Sequence, residues 1–427
     1  MNNQQLVTRR ENAIGKGAPL FYEEPLHIVR GEGAYLFDAD GKRYIDMYNN
    51  VPCVGHANPN VAAAMYDQLQ KLNVHSRYLH EDILEYAEKI ADLHTASIES
   101  VVFSCSGTEA NEVAMTMARI ATGGSAFICT NAAYHGNSDQ VGKLTYVPLE
   151  NNKRKNIYSI PYPQTFRPLV AGLSEEELSL KYLQVLEDTI TQIQADGIGF
   201  AGILFCPIFA NEGLPEIPAG FMQAATQMVR DAGGLVIIDE VQSGFCRTGR
   251  WWGYEKVGVE PDIVTMGKPM GNGLPLSATA SGKEIVEQYR SRTRYFNTFA
   301  SSPLQAVTGM AVLKEIKDRN ILNQVGQIGK YLSDGLEGYL QRIDYIGDIR
   351  SQGLFVGIDW VISKNDNTPN REGAVRVVNL MKTKGFLMSN AGEHGNVIKI
   401  RPPLVFQKEH ADAFLEAFDS AMDEHFV

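Results

Sequence analysis

The sequence predicts an α/β protein with a large domain, built on a mostly parallel, helix-covered sheet, and a smaller α+β domain. Between residues 100 and 280, short apolar runs of strand length alternate with amphipathic helical segments, a pattern typical of parallel sheets. Two of these runs, 235–238 and 263–266, end close to a charged residue that a buried strand would otherwise exclude. Beyond Pro303 the pattern changes to long amphipathic helices and alternating strands, which indicates the second domain.

The chain divides into three predicted parts. The first 50 residues form a polar arm and then short strands with Gly-Glu-Gly and Asp-Gly turns, a meander that joins the small domain. Residues 51–305 form the large domain, and residues 306–427 form the small C-terminal α+β domain, which ends in a helix. Residues 150–180 contain several prolines and are predicted to be an irregular excursion over the surface.

Buried strands are predicted in the large domain wherever a short apolar run lies between polar or glycine-rich segments. These runs cover residues 101–103, 126–129, 202–206, 235–238 and 263–266. A helix is predicted after most of them, and a pair of glycines ends the one before residue 235.

Composition limits the class of protein. Apolar residues make up 44% and charged residues 21% of the 427 residues, as in ordinary globular proteins. The net charge of −11 argues against a nucleic-acid partner. Five scattered cysteines without a Cys-x-x-Cys pair predict neither a disulfide framework nor a metal site. Because no apolar run suits a signal peptide or a membrane span, the sequence predicts a cytoplasmic protein without membrane contact.

The charged residues after the two strand-like runs are Asp239 and, past Gly267, Lys268. In open parallel sheets the carboxyl ends of the strands face the ligand crevice, so both side chains are predicted to face one site. Such a pair suits pyridoxal phosphate, because a lysine holds the cofactor aldehyde as a Schiff base and a carboxylate pairs with the protonated pyridine nitrogen. An ordinary buried ion pair explains the two residues equally well, so other motifs must decide.

A second informative stretch joins a short strand to a helix and reads SVVFSCSGTEANEVAM, with Gly107 and Thr108 at the start of the helix. Free backbone N–H groups and the helix dipole make such a helix end a natural phosphate site. Helix capping by Ser106 or Thr108 is the simpler explanation of the same residues. Tyr134 and His135 follow the next strand, where they either stack on a planar ring or pack within a loop.

These motifs together resemble the class III, or ω-type, aminotransferases, which depend on pyridoxal phosphate and have fold type I. The resemblance runs in family order over residues 20–420. It is carried by SGTEAN (106–111), Tyr134-His135-Gly136, IIDEVQSGFCRTG (237–249), GKPMGNGLP (267–275) and NTFASSP (297–303). The aspartate motif followed by the lysine is the specific signature.

The resemblance implies the catalytic pair. Lys268 carries the cofactor, and Asp239 pairs with the ring nitrogen and keeps the ring protonated, so that it accepts electrons from the substrate. Once the substrate amine displaces it, Lys268 acts as base and acid in the proton shift. A free lysine has a pKa of about 10.4, so the site must lower the pKa of this amine for it to act as a base at neutral pH.

The resemblance also implies which residues bind the cofactor. They are Gly107, Thr108, Tyr134, His135, Val241, Gln242 and Thr298. Val241 and Tyr134 pack on the two ring faces, and Gln242 approaches the ring hydroxyl. Thr298 reaches the cofactor phosphate of the neighbouring subunit, because these enzymes are homodimers or dimers of dimers with shared active sites.

Two departures from the family concern the substrate. Many members carry Glu-Pro at the end of the strand before the aspartate strand, where this chain has Cys206-Pro207. Many also bind an α-carboxylate with an arginine three residues before a proline, where this chain has Lys399, with Arg401 two residues later. The two losses are mutually consistent, because removing one partner alone leaves an uncompensated buried charge. Solvated charges at a strand end explain Lys399 and Arg401 equally well.

The segment around Arg77 and the KIRPP sequence resemble a subgroup that contains phospho-lyases for ethanolamine phosphate and phosphohydroxylysine. Such lyases use the same lysine and cofactor but eliminate phosphate from the β-carbon. In that case Lys399, Arg401 and Arg77 supply positive charge for a phosphorylated amine.

The main functional prediction is an aminotransferase that moves an amino group from an amine or ω-amino acid to a keto acid in a ping-pong cycle. The alternative is a phospho-lyase that acts on a phosphorylated amine such as ethanolamine phosphate. A non-catalytic relative is the third interpretation, which the presence of Lys268 and Asp239 disfavours. Substrate contacts are expected from Tyr22, Val51, Lys399 and Arg401, and no metal is expected.

Overall fold

The first hundred residues form a helix, a small meander and two further helices ahead of the central sheet. The computed structural model describes residues 2–145 and 156–426. The elements of this part are α1 (Asn3–Ile14), β1 (Ile28–Glu32), β2 (Tyr35–Asp38), β3 (Arg43–Asp46), α2 (Pro59–Leu69) and α3 (Glu81–Asp92). α1 replaces most of the predicted polar arm. Asn2 and Gln5 cap it reciprocally, and it buries no side chain, so the sequence carries no apolar period that would reveal it.

The central sheet and its covering helices follow. They are β4 (Ser100–Ser104), α4 (Gly107–Thr122), β5 (Ala126–Thr130), a 3₁₀ turn (Val141–Leu144), β6 (Ile157–Ile160), α5 (Glu175–Ala195), β7 (Phe200–Phe205), α6 (Phe221–Asp231), β8 (Leu235–Asp239), α7 (Gly253–Lys256), β9 (Ile263–Met266), β10 (Ser277–Ser281) and α8 (Lys283–Arg292). The seven strands lie in the order β4-β10-β9-β8-β7-β5-β6. Among the described strands of this sheet, β10 alone runs antiparallel to its neighbours. This confirms the predicted mostly parallel sheet.

All five strands predicted from apolar runs are present. Such a strand needs apolar residues at every position, because alternate residues face different hydrophobic clusters. Ile238 packs in one cluster and Ile237 in the other, so the strand is apolar throughout. β6 and β10 were not predicted. β6 is an edge strand of four residues within the expected surface excursion, and β10 reads SATAS, so neither contains a long apolar run. The part of that excursion at 150–155 lies outside the described residues.

The C-terminal part adds a second sheet and the remaining helices. Its elements are α9 (Pro303–Asp318), α10 (Ile321–Glu337), α11 (Tyr339–Arg342), β11 (Ile346–Ser351), β12 (Val356–Trp360), α12 (Arg371–Thr383), β13 (Phe386–Leu387), β14 (Ser389–Ala391), β15 (Val397–Ile400) and α13 (Lys408–His425). β11, β12, β15 and β14 form an antiparallel sheet. β13 instead pairs in parallel with β3 of the N-terminal meander. This pairing supports our proposal that residues 1–50 belong with the small domain at 306–427, beside a large domain at 51–305.

The described residues contain neither a membrane-spanning helix nor a cluster of metal-ligating side chains. Within residues 2–145 and 156–426, no helix has the length and apolar character that crossing a bilayer requires. Over the same residues, no group of three or more His, Cys, Asp or Glu side chains is placed to hold a metal ion. Cys53, Cys105, Cys206 and Cys246 are free thiols, and of the five cysteines all but the partly exposed Cys105 are buried. They therefore act as small core residues.

A stack of rings joins the end of α3 to the loop that follows β8. The ring of His94 lies 4.0 Å from that of Trp252, nearly parallel to it, and Nε1 of Trp252 donates a hydrogen bond to the carbonyl of Leu93 (2.7 Å). Nδ1 of His94 lies 3.1 Å from the hydroxyl of Tyr254. Burial lowers the pKa of His94 to about 3, because a protonated ring would lose its hydration there.

Replacement of His94 tests this environment. Since the pKa of the folded state lies below the ordinary value of about 6.5, the contribution of His94 to stability is present above pH 6.5 and is lost as the pH falls toward 3. In wild type the titration of His94 should lower the unfolding free energy by about 1 kcal/mol for each pH unit below 6.5. We expect His94→Phe, which keeps a ring in the stack, to lack this part of the decline. Urea unfolding between pH 5 and 7 measures this, with the exposed His394→Phe as control. Equal pH dependence in wild type and His94→Phe would contradict the assignment.

Candidate active site

A cavity of about 320 Å³ opens at the carboxyl edge of the parallel strands, where β8 and β9 lie side by side. Asp239 ends β8, and Lys268 follows β9 after Gly267, so the parallel pairing brings both residues to this edge. The cavity is lined by Val51, Gly107, Thr108, Tyr134, His135, Asp239, Val241, Gln242 and Lys268 from the sequence predictions. The predicted residues outside its wall are Tyr22, Thr298, Lys399 and Arg401.

Asp239 is buried and held by three hydrogen bonds. Its Oδ2 accepts from Nδ1 of His135 (2.7 Å) and from Nδ2 of Asn111 (3.0 Å). Its Oδ1 accepts from the backbone N–H of Val241 (3.0 Å). Donors directed at both oxygens stabilise a carboxylate and fix its orientation. Asp239 is therefore built to meet a cation at a set position in the cavity.

Two buried side chains orient this carboxylate. Asn111 also donates to the carbonyl of His135 (2.8 Å), and its Oδ1 accepts from the hydroxyl of Thr265 (2.7 Å), so its amide cannot turn. It was not among the predicted site residues, although it ends the SGTEAN motif. Nδ1 of His135 faces Asp239, and among the described residues its buried Nε2 has no partner.

Lys268 lines the cavity, and among the residues that the structure describes its amine has no hydrogen-bond or ion-pair partner. Burial lowers the pKa of this amine, and the charge of Arg401 lowers it further, whereas Asp239 raises it. The net shift is downward. A lowered pKa increases the fraction of neutral amine, which is the form that attacks an aldehyde and accepts a proton.

The first turn of α4 forms a further wall of the cavity. Ser106 accepts a hydrogen bond from the N–H of Glu109 (3.2 Å), so the capping interpretation is correct. This cap satisfies one N–H group, and the first turn of a helix leaves several without an intrahelical partner. A Cβ added to Gly107 would stand 3.0 Å from the side chain of Val241, so a larger residue here would press on that side chain. The helix end at Gly107 and Thr108 thus keeps donors for an anion next to the cavity.

Gln242 and Tyr134 are joined through a residue that the sequence did not single out. Nδ2 of Asn211 donates to the carbonyl of Tyr134 (3.2 Å), and its Oδ1 accepts from Nε2 of Gln242 (3.1 Å). Oε1 of Gln242 accepts from Nη1 of Arg401. The amide of Gln242 is therefore engaged at both ends, and Tyr134 stands half-exposed at the mouth of the cavity.

Lys399 on β15 and Arg401 just beyond it are buried, with 7% and 3% of their surface exposed. The interpretation as solvated charges is therefore wrong, because the small domain packs around both. Nε of Arg401 donates to the carbonyl of Tyr48 (3.2 Å). Lys399 faces the ring of Phe355 at 5.8 Å, and its amine has no hydrogen-bond or ion-pair partner among the described residues. Burial lowers the pKa of both groups, and the charges of Arg401 and Lys268 lower that of Lys399 further.

The remaining predicted contacts lie at or beyond the rim. Val51 is half-exposed at the cavity wall. Tyr22 lies outside the cavity in a smaller pocket beside Phe21, and its hydroxyl donates to the carbonyl of Met388 (3.0 Å), which turns it away from the predicted substrate contact. Thr298 is exposed. Its implied role concerns a neighbouring subunit and stays a prediction.

The family model for class III aminotransferases matches residues 21–422. The chain belongs to this family. As a class III enzyme it depends on pyridoxal phosphate and has fold type I, as the sequence predicted.

The chain is 34% identical to alanine–glyoxylate aminotransferase 2 homolog 2, mitochondrial, from Arabidopsis thaliana, over 98% of this chain and 87% of the relative. It is 31% identical to ethanolamine-phosphate phospho-lyase homolog 1 from Caenorhabditis elegans, over 99% of this chain and 94% of the relative.

A solved structure of a phospholyase from Arthrobacter in complex with phosphoethanolamine is also similar to this class III enzyme. The two chains are 40% identical, and the similarity covers 98% of this chain and 99% of the Arthrobacter chain, with a TM-score of 0.94. Relatives of this family thus include both aminotransferases and phospho-lyases.

The prediction of a cytoplasmic location is wrong, because the Arabidopsis relative of this class III enzyme is mitochondrial by name. The prediction rested on the lack of an apolar signal-peptide core. Mitochondrial targeting segments are amphipathic and rich in arginine, so that criterion does not detect them.

The cavity of this class III enzyme fits pyridoxal phosphate. It combines a lysine amine that has no partner in the described part of the chain, a fixed carboxylate and the N-terminal turn of a long helix within about 320 Å³. These are the groups that an aldehyde, a protonated ring nitrogen and a phosphate require. The buried Nε2 of His135, without a partner in the described ranges, is a further polar atom available at this wall.

Proposed function

We propose that this class III enzyme acts on a small phosphorylated amine such as ethanolamine phosphate. With one water molecule, that substrate gives acetaldehyde, ammonia and inorganic phosphate. The observation that carries the proposal is the buried amine of Lys399, which has no partner among the described residues and lies near Arg401 and Lys268. Neighbouring buried positive charges oppose one another, and an anionic substrate group relieves that cost. The 40% identity to a phospholyase in complex with phosphoethanolamine supports the same substrate class.

We propose that Lys268 and Asp239 are the catalytic residues, and that the cofactor is bound by Gly107, Thr108, Tyr134, His135, Val241, Gln242 and, from a neighbouring subunit, Thr298. When bound, pyridoxal phosphate withdraws electrons from the carbon next to the amine nitrogen, so that a proton on that carbon becomes removable. Asp239, oriented by His135 and Asn111, pairs with the protonated ring nitrogen.

In this proposal Lys268 moves the proton. Its Nζ takes the proton from the substrate carbon and later returns one, for which the lowered pKa suits it at neutral pH. Lys399 and Arg401 act on the other end of the substrate. A departing phosphate keeps its negative charge, and buried cations stabilise that charge where it develops.

Product analysis tests the proposal. The enzyme loaded with pyridoxal phosphate is incubated with ethanolamine phosphate and without any keto acid. We expect phosphate and ammonia to be released in equal amounts, and ethanolamine, the matched substrate without phosphate, to give neither. Absence of phosphate release across several phosphorylated amines would overturn the proposal.

Transamination between an amine or ω-amino acid and a keto acid is the second candidate function. The 34% identity to an alanine–glyoxylate aminotransferase 2 homolog favours it, and Lys268 and Asp239 would serve this reaction equally. Donor amine added without acceptor should bleach the cofactor absorbance, and pyruvate should restore it. If no amine produces bleaching, this candidate is excluded.

We also propose that the enzyme is a homodimer, or a dimer of dimers, with shared active sites. The support is an apolar surface that consists of Tyr66, Leu69, Leu72, Tyr78, Leu79 and Phe299, of which Leu79 is 97% and Phe299 75% exposed. The ring of Phe296 lies 4.1 Å from the guanidinium of Arg77 and 5.4 Å from the ring of His75. These contacts connect the part of the surface around Tyr78 with the part around Phe299. Thr298 lies next to Phe299 and therefore beside a surface that a second subunit would cover.

Charges placed on the apolar surface test the dimer. We expect Leu79→Glu combined with Phe299→Glu to give a monomer with little activity, because buried charges oppose association and each site needs its neighbour. Light scattering after size-exclusion chromatography measures the mass. Leu180→Glu, on the exposed face of α5 and outside the apolar surface, is the control and should stay dimeric. An unchanged mass in the double variant would contradict the placement of the interface.

A further inference from the structure

A buried glutamate that the proposed reaction does not use lies beyond the end of β7. Glu212 is 4% exposed, and its Oε1 accepts a hydrogen bond from the hydroxyl of Thr130 (2.6 Å). Its Oε2 is buried and has no partner in the described ranges. A buried carboxylate with one unpaired oxygen is costly unless it neutralises a nearby positive charge.

The loop that contains Glu212 packs against β15 of the small domain. A Cβ added to the adjacent Gly213 would stand 2.9 Å from the side chain of Val397 on β15, so the loop lies directly against that strand. Nη2 of Arg350 donates to the carbonyl of Gly213 (3.0 Å). Lys399 is two residues after Val397 on the same strand. The position of Glu212 relative to Lys399 is thus fixed by packing and by a charged hydrogen bond.

The titratable groups around Lys399 follow the ends of three strands. Lys268, after β9, and Arg401, beyond β15, are both positive and oppose a charge on Lys399. Glu212 and Cys206, after β7, act in the opposite direction. Burial raises the pKa of both the Cys206 thiol and the Glu212 carboxyl, and because a thiol starts from the higher ordinary pKa, the carboxylate of Glu212 supplies the negative charge.

On its other side Glu212 faces His135 and Tyr162, besides the hydroxyl of Thr130. The hydroxyl of Tyr162 lies 3.5 Å from a carboxylate oxygen of Glu393. None of these neighbours of Glu212 carries a permanent positive charge. On the side of β15, Lys399 is the cation whose charge this carboxylate favours.

We infer that Glu212 is a positioning residue whose negative charge keeps Lys399 protonated and so able to bind the phosphate of the substrate. The inference rests on the proposed function, because it concerns the same phosphate. In this chain Cys206, directly after β7, stands where many family members have a glutamate. Glu212, six residues later, places a carboxylate in the same loop.

Binding of inorganic phosphate to the enzyme loaded with pyridoxal phosphate tests the inference without turnover. Calorimetry between pH 6 and 9 gives the Kd of phosphate for each variant and for wild type. The ratio of the two values does not depend on the titration of phosphate itself. For Glu212→Gln we expect this ratio to rise at least about tenfold from pH 6 to pH 9, because Lys399 loses its proton as the pH rises. A ratio that stays flat would overturn the inference.

Rescue separates this role from a merely structural one. Arginine stays charged throughout this pH range, so Glu212→Gln combined with Lys399→Arg should show a flat ratio, as should the single variant Lys399→Arg. Failure of the rescue would also overturn the inference. If wild type and Lys399→Arg bind neither phosphate nor a phosphorylated amine, the proposed function fails as well. If wild type binds and Glu212→Gln matches it at every pH, only the role of Glu212 fails.

Discussion

Lys268→Ala should abolish turnover and leave the fold intact. In our proposal Lys268 both carries the cofactor and moves the proton, so we expect kcat to fall by about 10³-fold to 10⁴-fold or more. Because its amine has no partner among the described residues, the change should leave the melting temperature close to that of wild type. Initial rates on phosphorylated and unphosphorylated amines measure the first effect, and calorimetry measures the second.

A matched control for this variant is Lys283→Ala on α8, where the lysine is exposed and lies 3.8 Å from Glu287. It should keep the wild-type rate, because exposed ion pairs contribute little. A Lys268→Ala enzyme that turns over at the parental rate would show that the catalytic assignment is wrong.

Asp239→Asn is the second substitution with a large expected effect. Asparagine keeps the shape of the side chain but removes the charge that holds the ring nitrogen protonated, so we expect kcat to fall by about 10²-fold to 10³-fold. The cofactor absorbance should change as well, because the protonation of the ring sets its spectrum. This second readout distinguishes an electrostatic role from a loss of folded protein.

The exposed Asp188→Asn on α5 is the control for that experiment, since its side chain lies outside the cavity. A rate within about twofold of wild type for Asp239→Asn, together with an unchanged spectrum, would contradict the proposed pairing with the ring nitrogen.

The positions of Asp239 and Lys268 could be predicted because they follow from strand order. Parallel strands end at one edge, so a carboxylate and a lysine after two apolar runs must come together if the strands are neighbours, as β8 and β9 are. The start of α4 was predictable for a similar reason, since a strand followed by Ser-Gly-Thr and an alanine-rich run specifies a helix end. Each of these predictions depends on local sequence and one topological rule.

Other parts of the site depend on contacts between distant segments, which local sequence does not encode. The burial of Lys399 follows from the packing of the small domain, so the sequence left solvated charges as an open alternative. Glu212 lies in a loop without an apolar period, and its neighbours Thr130 and Lys399 are 82 and 187 residues away in the chain. Tyr22 was assigned to the substrate pocket, but the carbonyl of Met388 holds its hydroxyl elsewhere.

Reduction of the enzyme loaded with pyridoxal phosphate by borohydride, followed by peptide mass spectrometry, tests most directly whether Lys268 carries the cofactor. Reduction makes the bond between lysine and cofactor permanent, so the modified residue survives digestion. We expect one pyridoxyl phosphate group per chain, on the peptide that contains Lys268 and on no other. Attachment to a different lysine, or to none, would contradict the assignment of Lys268 and with it the proposed reaction.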